Sequence, residues 1–145
     1  MKRIAALLCV VIGCRTVPMA NAPGATTPRA TVEALLAAAN AQDLQAVSAV
    51  LGDEMGLLRD REGRAEMESR AFIIACVLKN DSNRIGDAQP LGNGRMILSA
   101  DLTQGKNSGT IRFELAPTKN MRWLAANFDL SVLQNKGFCE QPGRP

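Results

Sequence analysis

The stretch TIRFEL, residues 110–115, decides which fold the chain adopts. Every second position in it is apolar: Ile111, Phe113 and Leu115. The charged side chains of Arg112 and Glu114 lie between them. This period of two predicts a β-strand with one face against a core. The side chains of its other face are expected to lie in water and to pair with those of neighbouring strands.

The same alternation continues on both sides of this strand. Upstream, a hairpin-turn signal at Gly92–Gly94 is followed by apolar side chains at every second position: Met96, Leu98, Ala100 and Leu102. We expect Arg84–Pro90 to form a weaker strand before that turn and Thr103–Gly109 to be a polar loop after it. Downstream, Met121, Trp123 and Ala125 share one face of a last strand. These segments predict an antiparallel meander of about four strands.

The first part of the chain has helical spacing instead. Thr27 and Pro28 are a typical helix start, and an apolar stripe follows them at Val32, Leu35, Leu36 and Ala39. Asp43 could be a catalytic carboxylate, but its position favours the N-cap of a second short helix. Gly52 fits the end of that helix.

A third helix is predicted over Arg64–Lys79. Its run Ala71–Leu78 is nearly all apolar, which predicts burial on more than one side. The alternating charges of residues 59–64 before it indicate a solvated turn. About three helices followed by a meander give an α+β fold.

The N-terminus has the pattern of an export signal. Lys2 and Arg3 precede Ile4–Ile12, an uncharged apolar run that is too short to span a bilayer. Val11-Ile12-Gly13-Cys14 resembles the bacterial lipobox, in which a small residue precedes an acylated cysteine. The resemblance implies that residues 1–13 are a cleaved lipoprotein signal peptide and that Cys14 is lipidated.

The same resemblance implies a location for the mature protein. Arg15, at the second mature position, implies the outer membrane with the domain facing the periplasm. Residues 14–27 are expected to be a flexible tether, and residues 28–145 a single α+β domain. Two alternatives stay open: a soluble periplasmic or secreted protein cut after the A-x-A site Ala20–Ala22, and a cytosolic protein.

The four cysteines then divide into two groups. Cys9 leaves with the signal and Cys14 carries the lipid, so Cys76 and Cys139 remain. In an oxidising compartment, this even number predicts a disulfide between the third helix and the C-terminal tail. The alternative is two independent thiols, with Cys76 as a small buried side chain.

Composition limits the chemistry that the domain can perform. The chain has no His and no Tyr, which excludes a Ser-His-Asp triad and a Cys-His pair. Without Lys2 and Arg3, 15 basic and 14 acidic residues remain, and this balance gives no electrostatic case for nucleic acid. The sequence contains no metal-ligand cluster and no Gly-rich phosphate loop, so no metal or other cofactor is expected.

The order of these elements resembles the nuclear transport factor 2-like superfamily, the cystatin-like α+β cone. The resemblance lies in TPRATVEALLAAANAQDLQAV (27–47), TIRFEL (110–115) and MRWLA (121–125). It implies that the helices pack in the concave face of a curved sheet. Ketosteroid isomerase and scytalone dehydratase, enzymes of this kind, rely on Tyr, His and Asp in the cone, and this chain has no Tyr or His to place there. Three apolar side chains are candidates to line a cavity instead: Met96, Phe113 and Trp123.

These observations favour a membrane-tethered, non-catalytic binding or interaction module of the cell envelope. Its expected partners are the membrane, through the lipid anchor, an apolar small ligand or an envelope protein, and a second copy through the sheet. The alternative is a small isomerase, lyase or hydrolase that uses a carboxylate, for example Asp101 or Glu114 with a raised pKa.

Overall fold

The structure, a computed structural model, describes residues 22–140. Within this range the helices are α1 (Pro28–Ala41), α2 (Leu44–Ser48), α3 (Arg64–Leu78) and α4 (Ser131–Gln134). The first strands are β1 (Gly52–Asp53), β2 (Gly56–Leu57), β3 (Ser82–Ile85) and β4 (Gln89–Gly92). The later strands are β5 (Arg95–Gln104), β6 (Asn107–Pro117) and β7 (Trp123–Phe128). The expected α+β class is therefore confirmed.

Five of the strands form one antiparallel sheet. Its centre is the long pair β5 and β6, which runs in register from Met96 opposite Leu115 to Gln104 opposite Asn107. β7 pairs with the far side of β6, while β3 and β4 both pair with β5. β1 and β2 form a separate hairpin, and Leu51 just before it bridges to β7.

The N-caps of the first two helices satisfy free backbone N–H groups at their starts. The Thr27 hydroxyl accepts a hydrogen bond from the Ala30 amide at 3.0 Å, and Pro28 is the first residue of α1. The Asp43 carboxylate accepts one from the Ala46 amide, also at 3.0 Å. Asp43 is thus the N-cap of α2, as its position favoured.

The core lies between α1, α3 and one face of the sheet. The central strands contribute their alternating apolar side chains to it: Leu98, Ala100, Leu102, Ile111, Phe113 and Leu115. Burying each large apolar side chain contributes about 1.5–3 kcal/mol. The segment around α4 closes one end of this core with Leu133 and Phe138. Gly109 makes room for it, because a Cβ there would lie 2.7 Å from Leu133 Cδ2.

The strands differ from the sequence expectation at two places. Thr103–Gly109 is not a loop, since β5 and β6 continue through it and leave a turn at Gly105 and Lys106. The weak strand expected over Arg84–Pro90 is two strands, β3 and β4, on one edge of β5. The side chains at these positions are polar, so the hydrophobic pattern does not predict these strands. The polar side chains face water or pair across the sheet.

Three further expectations are wrong, two about single positions and one about the apolar run of α3. Met121 lies in the turn before β7 with φ of 57° and is 86% exposed, so it shares no core face with Trp123. Gly52 begins β1 rather than ending α2. Phe72 and Ile73 are 57% and 48% exposed, so the apolar run of α3 is buried on one side only.

The structure places the end of the predicted tether against the fold. The Gly24 amide donates to the Ala49 carbonyl at 2.9 Å, and Ala25 exchanges two backbone hydrogen bonds with Trp123. The first residues of the fold therefore precede Pro28. Cys14 and the predicted signal peptide lie outside the described residues.

Cys76 and Cys139 form the predicted disulfide, and their Cα atoms are 5.2 Å apart. The bridge joins the last turn of α3 to the chain after α4. Gln104 supports the same junction, because its amide group donates to the Lys79 carbonyl at 2.7 Å and accepts from the Cys139 amide at 2.8 Å. The C-terminal segment is thereby fastened over the core.

Replacing both bridged cysteines, Cys76→Ala with Cys139→Ala, should lower the free energy of unfolding by up to about 4 kcal/mol, because the bridge closes a loop of roughly 60 residues in the unfolded chain. Urea denaturation of the oxidised protein and the double variant measures the difference. Reduced wild type is the control and should match the variant. Alkylation of both cysteines in unfolded, unreduced protein would contradict the bridge.

Candidate functional site

An apolar cleft of about 330 Å³ opens between α3, the β1–β2 hairpin and β7. Eight apolar side chains line it: Leu51, Leu58, Ile73, Ile74, Ala125, Ala126, Phe128 and Leu130. Small-molecule sites usually measure about 300–1,000 Å³, so this volume suits a small ligand. Three other clefts, beside α2, on the outer face of the sheet and beside β4, have mainly polar or charged linings. The cleft beside β7 is therefore the best candidate for an apolar ligand.

The walls of this cleft are extensions of the core. Ile74 of α3 is buried, and Ile73 lies next to it around the helix, at the rim. On the opposite wall, the Phe128 ring packs against the buried Phe113 ring with their centres 5.3 Å apart. Because both walls are anchored in packed side chains, the cleft is formed before any ligand binds.

The β1–β2 hairpin forms the third wall, and its tight turn depends on glycine. A Cβ on Gly52 would collide with the carbonyl oxygen of Gly56. Asp53, the next residue, pairs with Arg61 through atoms 2.9 Å apart and accepts a hydrogen bond from the Met55 amide at 2.8 Å. The hairpin therefore has its own polar framework.

Polar side chains lie at the rim of the cleft, and Arg70 of α3 is the most important of them. Its Nη2 lies 3.1 Å from Glu62 Oε1 and 3.8 Å from Glu66 Oε1. A guanidinium has five N–H donors, so Arg70 can keep these partners and still donate to a polar group of a ligand. The cleft thus combines an apolar floor with one cationic donor at its edge, while Asp53, which pairs with Arg61, and Asn127 are its other polar lining residues.

Glu62 is a residue that the sequence interpretation missed. Its side chain is only 20% exposed, and within residues 22–140 its buried Oε2 has no hydrogen-bond partner. The alternating charges of residues 59–64 predicted a solvated turn, which holds for Arg59 and Asp60, both exposed. In the folded chain Glu62 lies against α3, and no local sequence pattern predicts that contact.

Arg95 fastens the β1–β2 hairpin to the main sheet. Its guanidinium contacts Glu54 through two pairs of atoms, 2.6 and 2.9 Å apart, and Glu114 at 3.4 Å. The hydrogen bonds from Arg95 are the main reason that the pKa of Glu54 falls from 4.5 to about 2. Hydrogen bonding to Glu54 in turn raises the pKa of Arg95.

Asp101 and Glu114, the carboxylates considered for catalysis, lie on the outer face of the sheet. Asp101 accepts hydrogen bonds from the Thr110 hydroxyl at 2.6 Å and from Arg84 at 2.8 Å. Both hydrogen bonds lower the pKa of Asp101, and the one from Thr110 has the larger effect. Glu114 pairs with Arg95. Neither carboxylate lines the apolar cleft, and the shift at Asp101 is opposite to the raised pKa expected for a general acid.

The three residues proposed from sequence to line a cavity lie in or against the core. Phe113 is fully buried, and Met96 and Trp123 are partly buried against the core cluster. None of them lines the apolar cleft, although Phe113 supports its wall through Phe128. The residues that do line it come from segments far apart in sequence, so the only local signal was the long apolar run of α3.

The part of the chain from 22 to 140 contains no group of three or more His, Cys, Asp or Glu residues placed to hold a metal ion. Over the same range, no helix is both long and apolar enough to cross a membrane. Comparison with known proteins finds no family model that matches the chain and no matching curated protein.

Replacing Glu54 by Gln should destabilise the protein at neutral pH and have a much smaller effect near pH 2. The folded-state pKa of Glu54 is depressed, so its contribution is present above pH 4.5 and is lost as the pH falls to about 2. Its side chain is 43% exposed, so we expect less than about 1 kcal/mol at pH 7. Urea denaturation of both proteins from pH 7 to 2 tests this, and a difference independent of pH would contradict it.

Proposed function

We propose that the chain is a membrane-tethered lipoprotein of the cell envelope that acts as a non-catalytic binding module. The apolar cleft is its site, and it takes a small apolar ligand with a polar or anionic end. The observation that carries this proposal is the combination of an apolar floor and walls with the Arg70 guanidinium at the rim. Such a lining, mostly apolar with a few polar groups, is typical of ligand pockets.

We also propose that the fold is the cystatin-like cone. It is supported by the order of the elements, helices first and meander last, and by α1 and α3 packing on one face of an antiparallel sheet. The apolar cleft then lies at the β7 edge of the cone.

Export to the cell envelope is supported by two features, and sorting to the outer membrane by Arg15 at the second mature position. One is the lipobox-like pattern that ends at Cys14. The other is the Cys76–Cys139 disulfide, since such bonds persist in oxidising compartments and are rare in the cytosol. A diacylglycerol on Cys14, which has two acyl chains, would hold the domain stably at the membrane.

We do not extend the proposal to catalysis. Asp101 and Glu114 are paired with arginines on the outer face of the sheet, and neither lines the apolar cleft. A carboxylate-based enzyme would need such a group inside an apolar cavity, where burial raises its pKa.

Ile73→Gln should weaken ligand binding, while Phe72→Gln should not. Ile73 lines the cleft and Phe72 does not, yet both are exposed on α3, so neither change disturbs the core. With anilinonaphthalene sulfonate, an apolar anion, as the probe, we expect a Kd about fivefold higher for Ile73→Gln because part of its apolar contact is lost. Fluorescence titration measures it.

Equal weakening by Phe72→Gln would contradict the assignment of the site. Native mass spectrometry of protein purified from the envelope provides a second test. A strictly monomeric protein that retains no ligand, and whose fluorescence titration shows no saturable binding, would contradict the binding module itself.

Cys14→Ser should release the protein from the membrane fraction, because the thiol is the proposed attachment point of the lipid. Fractionation with metabolic palmitate labelling measures both anchoring and acylation. Cys9→Ser is the matched control and should change neither, since Cys9 lies in the proposed signal peptide. Unchanged fractionation together with an unacylated wild type would contradict the lipoprotein assignment.

A further inference from the structure

Two turns lie at the same end of the main sheet. One joins β4 to β5 at Asn93 and Gly94, and the other joins β6 to β7 over residues 118–122. Both belong to this end because β5 begins where β6 ends and β7 begins. The turns are also adjacent, since a Cβ on Gly94 would lie 3.7 Å from Pro117 Cγ.

The N-terminal part of the described chain is held at this same end. The Arg122 side chain donates hydrogen bonds to three consecutive carbonyl oxygens, those of Ala22, Pro23 and Gly24. The bond to Pro23 is 2.7 Å long. Arg122 therefore holds Ala22, the first described residue, at this end of the sheet, and we call this position the exit point.

Exposed apolar side chains occur beside this exit point. Met121 is 86% exposed and has a left-handed backbone, with φ of 57°, which residues other than glycine seldom adopt. Leu91, next to the β4–β5 turn, is also exposed. We call Leu91, Asn93, Gly94, Lys119 and Met121 the turn face.

The turns and the N-terminal segment at this end contain basic residues and no acidic ones, and two carboxylates, those of Glu54 and Glu114, contact Arg95 beside them. Lys2, Arg3, Arg15 and Arg144 lie outside the described residues, which leaves 13 basic against 14 acidic side chains. Segments 22–28, 92–95 and 117–123 contain no acidic residue and three basic ones: Arg95, Lys119 and Arg122. Arg95 is paired with Glu54, whereas Lys119 is exposed and forms no ion pair within the described range.

We infer that the turn face lies against an anionic lipid surface. Met121 and Leu91 enter the boundary between headgroups and acyl chains, and Lys119 contacts anionic headgroups. The inference rests on the proposed acylation of Cys14. From Cys14 to Ala22 the chain can extend about 28 Å at most, at roughly 3.5 Å per residue. A lipid on Cys14 thus limits the distance between the exit point and the bilayer surface to about this length, which allows the turn face beside it to reach the headgroups.

The experiment attaches the domain to vesicles through Cys14 by synthetic chemistry. The chain from Cys14 to Pro145 contains every described element, and with Cys76 and Cys139 bridged its remaining thiol is Cys14. It is coupled to a maleimide phospholipid in vesicles of phosphatidylethanolamine and phosphatidylglycerol. Trp123→Phe removes the single tryptophan, and Met121→Trp then reports on the turn face.

Val132→Trp in the same background is the matched control. Val132 is exposed on α4, at the opposite end of the sheet beside the β5–β6 turn. We expect brominated lipids to quench the tryptophan at 121 and to leave the one at 132 largely unquenched. Equal quenching of both probes, or stronger quenching at 132, would overturn the inference.

Lys119→Gln tests the contribution of charge, and Lys136→Gln is its control at the other end. We call the orientation with the turn face against the bilayer face-down. Near an anionic leaflet, loss of one basic side chain should lower the population of this orientation relative to the others by about fivefold. Quenching at 121 should therefore fall for Lys119→Gln and stay unchanged for Lys136→Gln. An unchanged signal for Lys119→Gln would overturn the contact with anionic headgroups.

This design separates the inference from the proposed function. The synthetic anchor gives an orientation whether or not cells acylate Cys14. Mass spectrometry of Cys14 in protein from the envelope tests the acylation by itself. A face-down domain with an unmodified native Cys14 would overturn the lipoprotein proposal and leave the lipid affinity of the turn face established.

Discussion

The long antiparallel pair β5 and β6 is the constraint on which the rest of the structure depends. Nine residue pairs connect the two strands, from Met96 with Leu115 to Gln104 with Asn107. A register slip of one residue would turn the side chains of either strand to the opposite face, so the pairing is tied to burial of Leu98, Ile111 and Phe113. α1, α3 and the segment around α4 each cover part of that apolar face.

The helices cover the apolar face of the sheet only as far as its β7 edge, and the apolar cleft lies at that edge. α3 buries Ile74 in the core but leaves Ile73 at the rim, so a space remains between the helix and β7. The β1–β2 hairpin borders that space without filling it, because Arg95 holds Glu54 at the outer side of the sheet. The site therefore arises from the way three units meet, and each unit is fixed by contacts outside the cleft.

The two ends of the main sheet also differ in which terminal segment is fastened there. At one end, the disulfide and Gln104 fasten the C-terminal segment over the core. At the other end, Arg122 holds the N-terminal segment beside two turns without acidic residues. The proposed N-terminal anchor and the proposed ligand cleft would therefore use separate parts of the surface.

The sequence by itself determined the features that depend on neighbouring residues. The capping hydroxyl of Thr27, the carboxylate of Asp43 and the alternation in TIRFEL predicted a helix start, an N-cap and a strand correctly, because capping and periodicity act within a few residues. The lack of His and Tyr likewise limits the chemistry of the domain through composition alone, however the chain folds.

The tertiary structure alone decided what depends on distant partners. Thr103 lies in a strand because it pairs with Ser82 and Ser108, and its own polarity suggested a loop. Ile73 is exposed and Glu62 sheltered because of where α3 meets other elements, which neither hydropathy nor charge pattern records. The cleft joins α3 to β7 across about 50 residues of chain, and only the folding of the sheet brings these segments together.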